Sequence, residues 1–180
     1  MSNKRKSTVF KSVKMLALAA MLTAMSVVIG ILCKNFLNFA NGLLRVTFEN
    51  LPVIMAGILF GPLVGALVGA ASDLVSYIFS SQALPPNPIV TVGAISVGVV
   101  SGVVAKYIVK KRSIKQIIFS AGAAHVVGSM IIKSIGLYQF YNYGVLLRIP
   151  LYLVIAPLEI LVLCTLFRRR TFRRLFRFLK

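Results

Sequence analysis

Read for apolar and polar positions, the chain falls into six apolar runs, at residues 13–33, 45–60, 63–79, 89–109, 117–138 and 145–167. A helix rises about 1.5 Å per residue, so roughly 20 apolar residues cross the ~30 Å hydrocarbon layer of a bilayer. The pattern predicts an all-α, polytopic membrane protein with six transmembrane helices. The runs are parted by KNFLNFANGLL at 34–44, Gly61-Pro62, SSQALPPNP at 80–88 and YQFYNYG at 138–144, all rich in turn-forming or interfacial residues. The second run is the shortest, and it carries Pro52 near its start, where a missing N–H costs least.

Charge fixes the expected topology. The chain has 21 Lys and Arg against 3 Asp and Glu, a formal net charge of +18. That excess would raise the question of nucleic acid, but its distribution answers it. The basic residues gather before the first run (Lys4, Arg5, Lys6, Lys11, Lys14), around the fourth-to-fifth connection (Lys106, Lys110, Lys111, Arg112, Lys115) and at the end (Arg168 to Lys180). Short basic segments stay cytoplasmic. Only if the short second run also crosses do all three clusters fall on one side, with the N and C termini cytoplasmic. This divides the chain into a basic cytoplasmic N-terminal segment at 1–12, a six-helix domain at 13–167 and a basic amphipathic tail at 168–180, expected to lie on an anionic inner leaflet. A hydrophobic content of 58% and a mean hydropathy of +0.90 exclude a water-soluble domain. The first run is longer than the h-region of a signal peptide and is read as a retained span.

Against this background the polar residues stand out. A carboxylate at bilayer depth costs about 2.5–3.5 kcal/mol on insertion scales and usually faces a cavity, a partner or a ligand. Glu49 and Asp73 sit on two antiparallel spans hinged at Gly61-Pro62, so both reach the external side and can serve one outward-facing pocket. Arg45 and Glu49, one turn apart on a helix, either neutralise each other or face a solute. Gly65, Gly69 and Asp73 share a stripe that continues to Ser76, which serves either close helix packing or a groove leading to the carboxylate. His125, Ser129 and Lys133 share one face of the fifth span, and Arg148, Tyr152 and Glu159 one face of the sixth. His125 is either a helix–helix hydrogen-bonding group or a ligand contact. The tyrosines of 138–144 form an aromatic belt or a stacking surface for a flat ligand.

The external half, with Lys34, Arg45, Lys133 and Arg148, suits a ligand with an anionic group near the mouth and a planar, amide-like group deeper in, where a carboxylate accepts paired N–H donors. Ala20 and Ala24, four residues apart on the first span, let another helix approach closely, within the chain or from a partner. Cys33 and Cys164 have no metal-ligand or disulfide spacing and are read as packing residues. There is no GxSxG, HExxH or phosphate-binding loop and no second histidine, so neither an enzyme, a metal nor a cofactor is expected. Any ATP-driven step would need separate subunits.

Three stretches, FENLPVIMAGILFGPLVGALVGAASDL, HVVGSMIIKSIGLY and LRIPLYLVIAPLEI, resemble the substrate-binding S component of an energy-coupling factor (ECF) transporter, folate family, and the resemblance extends over residues 15–163. It implies a six-helix vitamin-capture protein that binds folate or a related pteridine from outside with high affinity. Its partners would be a transmembrane coupling subunit and two cytoplasmic ATPases, and it would topple in the membrane to release its vitamin inward. On this resemblance Ala20 and Ala24 would dock the coupling subunit. Glu49 and Asp73 would accept the pterin N–H groups, Asn87, Lys133, Tyr138 and His125 would line the same pocket, and Arg45, Lys34 and Arg148 would face the glutamate carboxylates. The competing expectations are an S component for another small vitamin and a self-sufficient secondary transporter of a small organic anion. The latter often shows internal repeats with paired broken helices, and no convincing repeat is visible here.

Overall fold

The structure, a computed structural model, describes residues 2–39, 44–79, 87–109 and 113–169. The proline-rich loop expected at 80–88 falls mostly outside these residues, as does nearly all of the basic tail.

Among the described residues, six helical rods make up the fold. The first is α1 (Ser2–Phe36), which extends past the predicted span at both ends. A two-residue antiparallel pair follows, β1 (Asn38–Phe39) with β2 (Leu44–Arg45), in which Asn38 faces Arg45. Next come α2 (Asn50–Phe60) and α3 (Pro62–Ile78). The fourth rod is α4 (Pro88–Val103), prolonged by a π-helical turn over Val104–Ile108. The fifth joins α5 (Ile114–Ala124), a π-helical segment (His125–Ile132) and α6 (Lys133–Tyr141) without a break, and a 3-10 turn (Asn142–Leu147) leads into α7 (Arg148–Arg168). Four of the rods are long and apolar enough to cross a membrane.

The second span departs from expectation. Helix α2 starts at Asn50, not at Arg45, and its 11 residues rise only about 16 Å. The cause is Pro52. A helix begun at Arg45 would place this proline in its interior, where it lacks the N–H to pair with the Phe48 carbonyl and its ring clashes with that group. Started at Asn50, Pro52 falls in the first turn. The helix is buried from Asn50 to Ile58, so it runs within the bundle, touching α1, α3, α4, α5 and α7. Ile54, Met55 and Ala56 are fully enclosed with Val97, Ala121 and Leu163 in one apolar core.

Gly61 makes the α2–α3 turn at φ +95°, a left-handed conformation that favours glycine, and a Cβ there would meet nothing within 4 Å. Elsewhere the glycines act by absence of bulk. A Cβ on Gly65 would lie 2.5 Å from the Gly98 carbonyl oxygen, one on Gly98 would strike the Gly65 carbonyl, and one on Gly69 would strike that of Ala94. The glycine stripe of α3 therefore packs backbone to backbone on α4, which settles its two possible roles in favour of packing. Pro150 lies in the first turn of α7, and Pro157 lies inside it.

Candidate functional site

At the start of α2, Glu49 occupies the N-cap position with its own backbone in the right-handed helical region. The Ser26 hydroxyl of α1 donates to the Glu49 carbonyl at 2.6 Å, tying this corner to the first rod. From α6, Lys133 reaches in: its Nζ lies 3.4 Å from Glu49 Oε1 and donates to Asn50 Oδ1 at 3.1 Å. Asn50 Nδ2 in turn donates to Ser129 Oγ at 3.2 Å. Lys133 is 4% exposed, so its ammonium does not snorkel to water but is consumed by this network.

Asp73, on the facing side of α3, accepts from Thr91 Oγ1 of α4 at 2.7 Å. Together Glu49, Asp73, Lys133, Asn50, Ser26, Val53, Ser72, Ser76 and Ala94 line one narrow cleft between α1, α2, α3, α4 and α6. The two acids expected to share a pocket are thus brought together with Lys133. Lys34, at the end of α1, donates to the Ser76 carbonyl at 3.3 Å and so stands at the rim of this cleft.

The other expected residues are placed elsewhere. Arg45 lies in β2, and residues 46–48 are not helical, so the one-turn spacing to Glu49 does not hold; the side chains of Arg45 and Arg148 are outside the described set. Asn87 caps α4, accepting from the Ile89 N–H at 2.9 Å, while its Nδ2 donates to the Gly136 carbonyl at 2.5 Å. One end of its amide caps α4 and the other ties that cap to α6. Tyr138 is 47% exposed and meets Tyr143 edge to face at 6.0 Å. His125 is buried away from the cleft lining, its Nε2 2.8 Å from Oε2 of Glu159 on α7. Glu159 interrupts an inward stripe of Tyr152, Ile155 and Leu163, all buried. Ala20 and Ala24 lie exposed on α1.

Sequence reasoning missed Asn50, Ser26 and Thr91 as site residues. Asn50 had one available signal, an amide adjacent to a membrane carboxylate. The hydroxyls had none, because Ser and Thr occur throughout membrane helices. Among the described residues no group of His, Cys, Asp and Glu is arranged to hold a metal ion. The geometry gives a site lined by two carboxylates and one buried ammonium, with a second ammonium, that of Lys34, at its rim.

Comparison with known proteins adds three findings. A family model described as "ECF transporter, substrate-specific component" matches residues 14–179. The "Folate transporter FolT" of Clostridium novyi (strain NT) is 31% identical over 115 residues, which is 63% of this chain and 64% of that protein, so the match spans just under two thirds of the relative's length. The solved structure described as "Structure and mechanism of the S component of a bacterial ECF transporter" superposes with a TM-score of 0.52 at 25% identity, over 94% of this chain and 99% of the other.

Proposed function

Since this chain belongs to the family of ECF transporter substrate-specific components and is an integral membrane protein, we propose that it captures folate or a related pteridine at the extracellular face and passes it inward as the substrate-specific subunit of an ATP-driven transporter. The observation that carries the reading is the convergence of Glu49 and Asp73 with Lys133 on one cleft. The 2-amino-4-oxo edge of a pterin presents adjacent N–H donors, which match the acceptors Glu49 and Asp73. In this reading the bicyclic head sits against the lining of the cleft and the benzoyl-glutamate arm extends to the mouth, where Lys34 faces its carboxylates and Tyr138 offers a ring.

In this reading the chain binds and delivers. Hydrolysis of ATP belongs to two cytoplasmic subunits, and a transmembrane coupling subunit docks on the exposed Ala20 and Ala24. The termini and the basic tail face the cytoplasm. The test uses labelled folate. The purified chain in detergent binds it, and cells import it only when the coupling and ATPase subunits are present with this chain. Import by this chain alone in vesicles would overturn the proposal.

A further inference from the structure

The two acids of the cleft are held differently, and two glycines control how. Lys133 crosses to Glu49 and Asn50 with its stem laid along Gly93 of α4. A Cβ at Gly93 would stand 2.5 Å from Lys133 Cγ and 3.1 Å from the carbonyl oxygen of Gly128. That carbonyl accepts the backbone N–H of Lys133 itself. Gly30 of α1 does the same for the acid: a Cβ there would stand 3.0 Å from Glu49 Oε2 and 3.3 Å from Ser76 Oγ. Neither glycine has a positive φ, so backbone conformation does not require it. Both lie inside helices, where glycine weakens the helix relative to alanine. What each supplies is room for one half of the Glu49–Lys133 pair.

We propose that Gly30 and Gly93 are specificity-determining residues of the cleft: by seating the Glu49–Lys133 pair they hold an ammonium against one carboxylate, so that the site takes a neutral ring bearing N–H donors in preference to the same ring carrying positive charge. The pairing lowers the negative potential that two membrane carboxylates would otherwise direct at the ligand. Asp73, held by the Thr91 hydroxyl, then meets the ring as an acceptor beside an acid already matched by a cation. Displacing Lys133 gives the cleft a more negative floor and favours a cation. This inference rests on the pteridine reading above.

The experiment compares two probes that differ only at ring position 4. One is folic acid, with a neutral 2-amino-4-oxo ring. The other is aminopterin, whose 2,4-diamino ring takes a proton on N1 beside a carboxylate. Equilibrium dissociation constants are measured for the purified chain in detergent and for K133Q, G93A and G30A. The unaltered chain favours folic acid, and in each variant the ratio of the two constants moves toward aminopterin by about tenfold, the equivalent of ~1.4 kcal/mol. If the unaltered chain binds folic acid but the ratio stays within twofold in K133Q and G93A, the inference is overturned and the pteridine reading stands. If the unaltered chain binds neither probe, the reading itself falls, and the inference with it. Should G93A fail to fold, E49Q/G93A/K133A removes both the colliding side chain and the buried charge that its loss would strand. Recovery of folded, monodisperse protein supports the seating role, and failure to recover overturns it.

Discussion

Lys133 and Glu49 meet at 3.4 Å across 84 residues of sequence, an ammonium and a carboxylate with side chains 6% and 15% exposed. Removing one partner of a buried pair strands the other charge, whereas replacing both with apolar groups of similar size is often close to neutral. K133A is therefore expected to destabilise the protein by about 3 kcal/mol, with E49Q/K133M recovering most of the loss. Unfolding in mixed detergent micelles measures both, and additive losses in the double variant would contradict coupling of the two residues.

The His125–Glu159 contact at 2.8 Å joins the π segment to α7 at full burial. H125A and E159A are each expected to cost about 3 kcal/mol, and H125L/E159L less than either. Folate affinity of folded H125A should stay within threefold, since His125 does not line the cleft. A tenfold loss with unchanged stability would instead place His125 against the ligand.

Gly98 and Gly122 offer a matched contrast on two helices. A Cβ at Gly98 would collide with the Gly65 backbone, while one at Gly122 meets nothing within 4 Å. G98A is expected to lower the unfolding midpoint strongly, since overpacking costs about 1–3 kcal/mol or more when backbone must move. G122A is expected to be stabilising by roughly 0.5–1 kcal/mol. A thermal-shift series in detergent decides, and similar behaviour of the two would refute the close-packing account of α3 on α4.

Ala20 and Ala24 are exposed on α1 and leave the bundle's own packing undisturbed when enlarged. For A20L/A24L the expected result is unchanged folate binding by the isolated chain, with folate uptake by the complete transporter reduced at least about tenfold, since close helix approach needs small residues. Unchanged uptake would remove these alanines from the docking surface.

The six runs and the shared cleft of Glu49 and Asp73 are legible in the sequence because membrane burial writes long apolar stretches, and because one hinge, Gly61, folds two acids back toward each other. The apolar run starts at Arg45 and the helix only at Asn50, because apolar pattern does not mark where a helix begins and Pro52 needs the first turn. The partner of Lys133 was not legible, since spacing along one helix says which residues share a face and not what that face meets. The same holds for Asn87, whose amide is taken by Ile89 and Gly136, and for Gly30 and Gly93, whose part lies in space they leave to side chains of other helices.

The π segment between His125 and Lys133 carries a last consequence. Its backbone pairs Lys133 with Gly128, five residues back, where an α-helix would choose Ser129. Its two ends are pinned independently, His125 to Glu159 and Lys133 to Glu49 and Asn50. A wide turn fixed at both ends cannot tighten to ordinary winding without pulling one pin. The place of the ammonium in the cleft is thus set by how many residues separate two anchors as much as by which residues they are, and inserting or deleting a single residue there would be felt at the ligand although no contacting side chain had changed.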